Sequence, residues 1–239
     1  MQPIHTLDTL RAITDDSLLL WTAQGMRPGA RAWAAGNATA VATADVARRD
    51  RLVVNGPITD AAPLIKAVLA EVGPRFRLLG DAALLTGLCE RLPELSLRGA
   101  LGWMHTTVAP AADPLSIPAT PDDEPLINEL LAESLPASLA RPGMAGVARW
   151  WVIRDEHGAA ACAADAWSSP DVGLLGGVAT ALRAQGTGLG KAVVKTALAG
   201  LVAEHCSVGL LVDEDNHRAR HVYETLGMTY RPLHSAVPE

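Results

Sequence analysis

Arg183–Val194 reads RAQGTGLGKAVV, with glycine at 186, 188 and 190 directly ahead of an amphipathic segment. Each glycine in the first turn of a helix costs roughly 1 kcal/mol relative to alanine. Three of them in five residues point to a backbone that something approaches closely. A strand running into a glycine-rich loop and then a helix N-terminus is a general anion site. Free N–H groups point outward there, and the macrodipole favours negative charge. The dipole contributes only about 0.3–1 kcal/mol, so holding a phosphate takes several N–H contacts as well.

Two better-known phosphate loops fail on spacing. A Walker A loop needs glycine where Gln185 stands and a magnesium-binding hydroxyl where Ala192 stands. A dinucleotide GxGxxG starting at Gly186 needs glycine at the position of Lys191, and the alternating strands and helices of a Rossmann sheet are absent. What fits is Q-x-x-G-x-G on Gln185, Gly188 and Gly190.

The surrounding chain has an ordinary globular composition, 49% hydrophobic and 19% charged over 239 residues. A net charge of -6 without a lysine or arginine run argues against nucleic acid as a partner. No segment approaches the ~18 consecutive apolar residues of a membrane span, and the acid-bearing start MQPIHTLDTLRAITDD does not read as a signal or transit peptide. Cys89, Cys162 and Cys206 lie far apart in apolar segments, which reads as buried thiols in a reducing compartment. The expected location is the cytoplasm.

Proline and small residues replace periodic patterns over Ala109–Pro125, which divides the chain into residues 1–110 and 113–239. In the first part RAWAAGNATAVATA reads as two strands about a Gly36-Asn37 turn, and RLVVNG as a third. A helix over ITDAAPLIKAVLAEV, with Asp60 as its cap, is followed by strand, helix and strand over RFRLLG, DAALLTGLCERL and LSLRGALGWMHT. The second part opens as a strand at LSIPAT, turns at Pro121–Asp123 and becomes a helix. It continues as a hairpin about Glu156–Gly158, a buried strand VGLLGGVAT, the glycine loop and a helix to Glu204. A strand CSVGLLVDE, a helix ended by Gly227 and a last strand MTYRPLHSAV complete it. The two parts share an element order without obvious sequence identity, which suggests a duplicated unit.

The glycine loop does not stand alone. Asn216, Ala219, Tyr223 and Gly227 in DNHRARHVYETLGM form an N-x-x-A-x-x-x-Y-x-x-x-G block one helix and one strand downstream. Together the two blocks resemble the GNAT superfamily of acyl-CoA-dependent N-acetyltransferases, over Pro114 to about Ser235. The resemblance implies an α/β (mixed α+β) fold, with a central twisted mixed sheet flanked by helices. It is expected in tandem, residues 1–110 being a degenerate GNAT-like unit without a CoA loop and 113–239 the catalytic one. The implied reaction is acetyl transfer from acetyl-CoA, as co-substrate, to an amine of a small molecule or peptide in a ternary complex, with no metal and no membrane partner. The chain is expected to act as a monomer or homodimer.

Residue by residue, the resemblance implies that the backbone of Val178, Ala179 and Thr180 pairs with the pantetheine amides. The amides of Gly186, Thr187, Gly188, Leu189, Gly190 and Lys191 would hold the pyrophosphate, with Gln185 opening the loop. Asn216 would contact the pantetheine arm, the strand amide near Thr180 would meet the oxyanion, and Tyr223 would stand near the sulfur as proton donor. Taken singly, Tyr223 reads as a packing residue on the stripe Ala219, Val222, Tyr223 and Leu226, and Asn216 as a helix cap. VGLLGGVAT lacks the acid that many members carry on this strand. Asp165 and Asp171 are then the nearest carboxylates in sequence, a water chain is an equal choice, and the base stays unassigned. That missing acid motivates the rival reading, a non-catalytic acyl-CoA-binding or scaffold protein. Trp150, Trp151 and Trp167 are expected to pack on or rim the sheet. His217 and His221, four apart on one helix, have no evident third metal ligand.

Overall fold

A computed structural model describes residues 1–239. The first half runs β1 (Gln2–Ile4), α1 (Leu7–Ile13), α2 (Ser17–Ala23), β2 (Arg31–Ala35), β3 (Ala38–Val46), β4 (Arg49–Asn55), α3 (Ile58–Val72), β5 (Arg77–Asp81), α4 (Ala82–Arg91) and β6 (Leu95–Thr106). The second half runs β7 (Ile117–Pro118), α5 (Glu124–Ser134), β8 (Val147–Asp155), β9 (Gly158–Ala166), β10 (Val172–Thr180), α6 (Leu189–Glu204), β11 (Ser207–Asp213), α7 (His217–Thr225) and β12 (Thr229–Pro238). Both halves therefore follow one order, a strand, helical segment, three strands, helix, strand, helix and strand.

All 12 strands join in one sheet, in the order β1-β2-β3-β4-β5-β12-β6-β11-β10-β9-β8-β7. Only β4 with β5 and β10 with β11 pair in parallel. Counted inward from either edge the pattern is the same, except that β12 and β6 have changed places. β6 pairs antiparallel with β11 over Leu101–Thr106, and β12 enters between β5 and β6. Each half thus completes its sheet with the other half's last strand.

This exchange has a measurable consequence. A chain of residues 113–239 alone lacks β6 and β5, which would leave β11 with a bare edge and β12 without either neighbour. Such edges promote association, so this piece is expected to aggregate under conditions in which the full chain stays dispersed. A monodisperse 113–239 fragment with cooperative melting would contradict the expectation.

The core follows from the residue pattern. β9, GAAACAADA, is buried at every position after its first. Its small side chains leave room for helices on both faces: Ala161 and Ala163 lie in the cluster under α6, and Ala160, Cys162 and Ala164 in the cluster under α5. Burial pushes the Cys162 thiol up to about 12, so it stays a packing group at neutral pH. The two halves are joined through α2. Trp21 packs on Trp103 with ring centroids 5.7 Å apart and donates from Nε1 to the Trp167 carbonyl at 2.8 Å. Trp151 packs over Gly200 of α6 and Trp150 over Gly177 of β10, as expected for residues set on the sheet.

Two local expectations are corrected. Asp60 does not cap α3: Pro57 holds that position, and Asp60 sits in the first turn accepting from the Asn37 amide at 2.8 Å. β1, α1 and α2, which open the chain, are not marked by any pattern read from the sequence.

Candidate active site

β10 makes the site possible by losing one neighbour. It pairs with β11 only from Val172 to Leu174, while its later residues continue along β9 as far as Thr180. A bulge between Gly176 and Ala179, with Gly177 at φ +57°, bends the strand as it leaves β11. The backbone of Val178–Thr180 therefore presents one edge to a cleft of about 530 Å³ between the start of α6 and the side of α7.

The glycine loop forms the other wall. Gly186 and Gly188 have φ of +84° and +91°, a region other residues rarely adopt, and a Cβ added at either would meet nothing within 4 Å. The empty space in front of them opens to the cleft. A Cβ on Gly190 would instead meet Thr180 Oγ1 at 2.7 Å, so this glycine serves helix–strand approach. α6 starts at Leu189 with no side-chain cap and no acid in its first turn. The amides of Gly186, Gly188, Leu189, Gly190 and Lys191 have no backbone acceptor, and such a row of donors at a helix N-terminus suits an anion.

The structure brings Val178, Ala179, Thr180, Gln185, Gly186, Gly188, Gly190, Lys191, Asn216 and Tyr223 to one cleft. The Thr187 residue and the Leu189 side chain stand apart. The Thr187 amide and hydroxyl both bond the Ala184 carbonyl, at 3.4 and 2.7 Å, and the Leu189 side chain packs into the core. Gln185 ties the walls together, accepting from Arg218 Nη1 at 2.9 Å. Asn216 is a cap as well as a lining residue, since its Oδ1 accepts from the Ala219 amide at 3.1 Å.

Tyr223 is 6% exposed and borders the cleft from α7. Burial raises its pKa well above the ordinary value, so the hydroxyl keeps its proton throughout the neutral range. Neither carboxylate considered as a base reaches the cleft. Asp171 takes Arg11 at 2.5 and 3.0 Å, joining the two halves of the chain. Asp165 takes the Ser168 hydroxyl at 2.5 Å and lies 3.4 Å from Arg149. The ligand atoms of Asp165, Glu204 and His205 lie within 4.8 Å of one another, but Arg149, 2.6 Å from Glu204, already supplies a cation there. Lining residues that the motifs did not indicate include Ser134, Leu135, Arg218 and His221. Ser134 and Leu135 come from the end of α5, more than forty residues before the loop, and no local pattern links them to it.

Solved structures share this architecture across nearly the whole chain. A GCN5-related N-acetyltransferase from Kribbella flavida aligns over 92% of this chain and 94% of its own, with a TM-score of 0.59 and 15% identity. An acetyltransferase of the GNAT family from Colwellia psychrerythraea aligns over 99% and 98%, at 0.53 and 14%. A GCN5-related N-acetyltransferase-like protein from Streptococcus suis aligns over 97% and 96%, at 0.52 and 13%. At these identities the likeness is one of fold, and the fold is that of GNAT proteins in a tandem arrangement. Residues 121–228 match the Acetyltransferase (GNAT) family, so the second half carries a GNAT domain, whose general chemistry is acyl transfer. No curated protein sequence matches the chain. No helix is long and apolar enough to cross a membrane.

Proposed function

We propose that the second half transfers an acetyl group from acetyl-CoA to an amine of a small molecule or peptide, by direct attack in a ternary complex. The observation that carries this reading is the row of unpaired loop amides facing the same cleft as the free edge of β10 and the Tyr223 side chain. The open space before Gly186 and Gly188 fits a group that must touch backbone. The amides of Gly186 and of Gly188 through Lys191 would bind the pyrophosphate, with the Lys191 ammonium adding charge. Val178–Thr180 would orient the pantetheine arm, and Asn216 would flank it. When bound, acetyl-CoA supplies the activated thioester.

Acyl transfer to an amine needs donors for the developing oxyanion and a proton for the departing thiolate. The strand amide near Thr180 is suited to the first task and Tyr223 to the second. No side chain is assigned as base, because Asp165 and Asp171 are held in ion pairs away from the cleft. Only Cys162 is buried; Cys89 is half-buried and Cys206 exposed, which corrects the expectation of three buried thiols, and it is as unpaired thiols that they support our placing the protein in the cytoplasm.

The first half is proposed to bind no CoA. Its counterpart of the cleft would lie between the end of β4, the start of α3 and α4, where Val54, Ile58, Ala61 and Leu85 pack together. A Cβ on Gly80 would meet Leu85 Cδ2 at 2.5 Å and the Val54 carbonyl at 2.9 Å, so apolar packing closes directly on this strand. Calorimetric titration of the full chain with acetyl-CoA is expected to give one site per chain. Two sites would contradict the assignment to the first half, and no binding would contradict the reading as a whole.

A further inference from the structure

The face of the sheet under α2 carries a group of arginines that the acyl-transfer reading does not use. Arg51 on β4 is 7% exposed and forms no ion pair. Its Nε donates to the Val46 carbonyl at 2.9 Å, and its guanidinium lies 5.1 Å from the centroid of the Trp21 ring. Nη1 and Nη2 hold no hydrogen bond within the protein, and the little surface that Arg51 keeps leaves them in contact with solvent. A guanidinium withdrawn from water is costly unless it is paired, and one carbonyl with one aromatic face satisfies only part of its fork.

Its neighbours make the deficit larger. Residues alternate along β4, and Val53 lies in the cluster under α2, so Arg49 and Arg51 point to the same side. Arg77 stands directly beside Arg51 on β5 and shares the face of Leu79. Neither Arg49 nor Arg77 forms an ion pair, and burial, with their charges added, pushes Arg51 down to about 10. The nearest carboxylate in sequence, Asp50, projects to the opposite side by the same alternation and pairs with Arg75 at 3.0 Å. Arg27 donates to the carbonyls of Ala44 and Asp45, next to Thr43 on β3, at 2.9 and 3.2 Å.

A second observation points the same way. Thr43 on β3 is the register partner of Arg51 on that face, is 1% exposed, and its Oγ1 is buried with no partner. Buried hydroxyls without a partner are few in folded proteins, and this one stands at the base of the Arg51 side chain, on the face that carries the unpaired guanidinium.

We propose that this face binds a small oxyanion of the phosphate class on the Nη edge of Arg51, with Arg49 and Arg77 as further donors and the polar Thr43 position beneath them. The planar fork suits two oxygens of one phosphate, and the flanking charges favour a dianion over chloride. The site belongs to the first half of the chain, remote in sequence from the glycine loop, and does not depend on CoA binding.

The test is an amide-resolved NMR titration of the full chain with inorganic phosphate against chloride at equal ionic strength. Saturable shifts are expected at Thr43, Val46, Arg49, Arg51 and Arg77, separable from any at Gly186–Lys191. Arg51→Met is expected to abolish them, Arg77→Gln to weaken binding about 3- to 10-fold, and Arg91→Gln, on α4 across the sheet, to leave it unchanged. The double change Arg49→Gln with Arg77→Gln alters exposed side chains only and decides the matter if Arg51→Met fails to fold. Shifts that never saturate, or wild-type affinity in the arginine variants, would overturn the proposal.

Discussion

Tyr223→Phe is expected to lower the turnover number about 100-fold while leaving acetyl-CoA affinity nearly unchanged. General-acid catalysis typically contributes about 10²- to 10⁴-fold, or roughly 3–5 kcal/mol of barrier. The low end applies here for a physical reason. Burial raises the Tyr223 pKa, which keeps the proton in place but makes the hydroxyl a weaker acid toward a thiolate. Phenylalanine retains the ring packing against the core under α6, so the fold and the cofactor wall persist. Steady-state kinetics with an identified amine, alongside calorimetry of acetyl-CoA binding, reads both quantities. Full turnover in the variant would make Tyr223 a packing residue and leave the proton to water or to the acceptor.

Gly188→Val is expected to remove acetyl-CoA binding, by at least a hundred-fold, about 3 kcal/mol, in a protein that remains folded. The new side chain would enter open space at the helix start, where nothing in the protein obstructs it but the pyrophosphate would. The φ of +91° also disfavours a β-branched residue, so a loss of stability of roughly 1–3 kcal/mol is expected beside the loss of binding. Calorimetry measures the affinity, and thermal unfolding followed by circular dichroism shows whether the chain is still cooperative. Unchanged affinity in a folded variant would remove the loop from the site.

The parts of this site that were legible in the sequence are those whose chemistry is local. Gly186 and Gly188 announce positive φ and missing side chains within a few residues, and Asn216 and Tyr223 lie seven apart on one helix face, two turns along. Thr187 was less legible, because whether its amide faces outward depends on a turn closed by the Ala184 carbonyl. The missed helix α2 reads SLLLWTA, and five of its seven residues are buried, so no polar face marks a helical period. α1 buries only Leu10 and had no stripe to show.

The shared element order of the two halves could be read from strand and helix patterns alone. The exchange of β6 and β12 could not, because pairing between residues more than one hundred positions apart leaves no mark in local periodicity. Asp165 and Asp171 illustrate the same limit from the side of chemistry. Both lie close in sequence to β10, yet Arg149 and Arg11, brought in from other strands and helices, turn them into structural partners.

The reaction proposed for this cleft is transfer of an acyl group to an amine. It is tested most directly by following thiol release from acetyl-CoA over a panel of primary amines, with mass spectrometry of the product. Thiol release is expected to depend on one class of amine, to saturate with it, and to match the N-acetylated product mole for mole. Acetyl-CoA that binds at one site per chain but yields no amine-dependent thiol and no acetylated amine would contradict it, and would make the protein an acyl-CoA-binding scaffold.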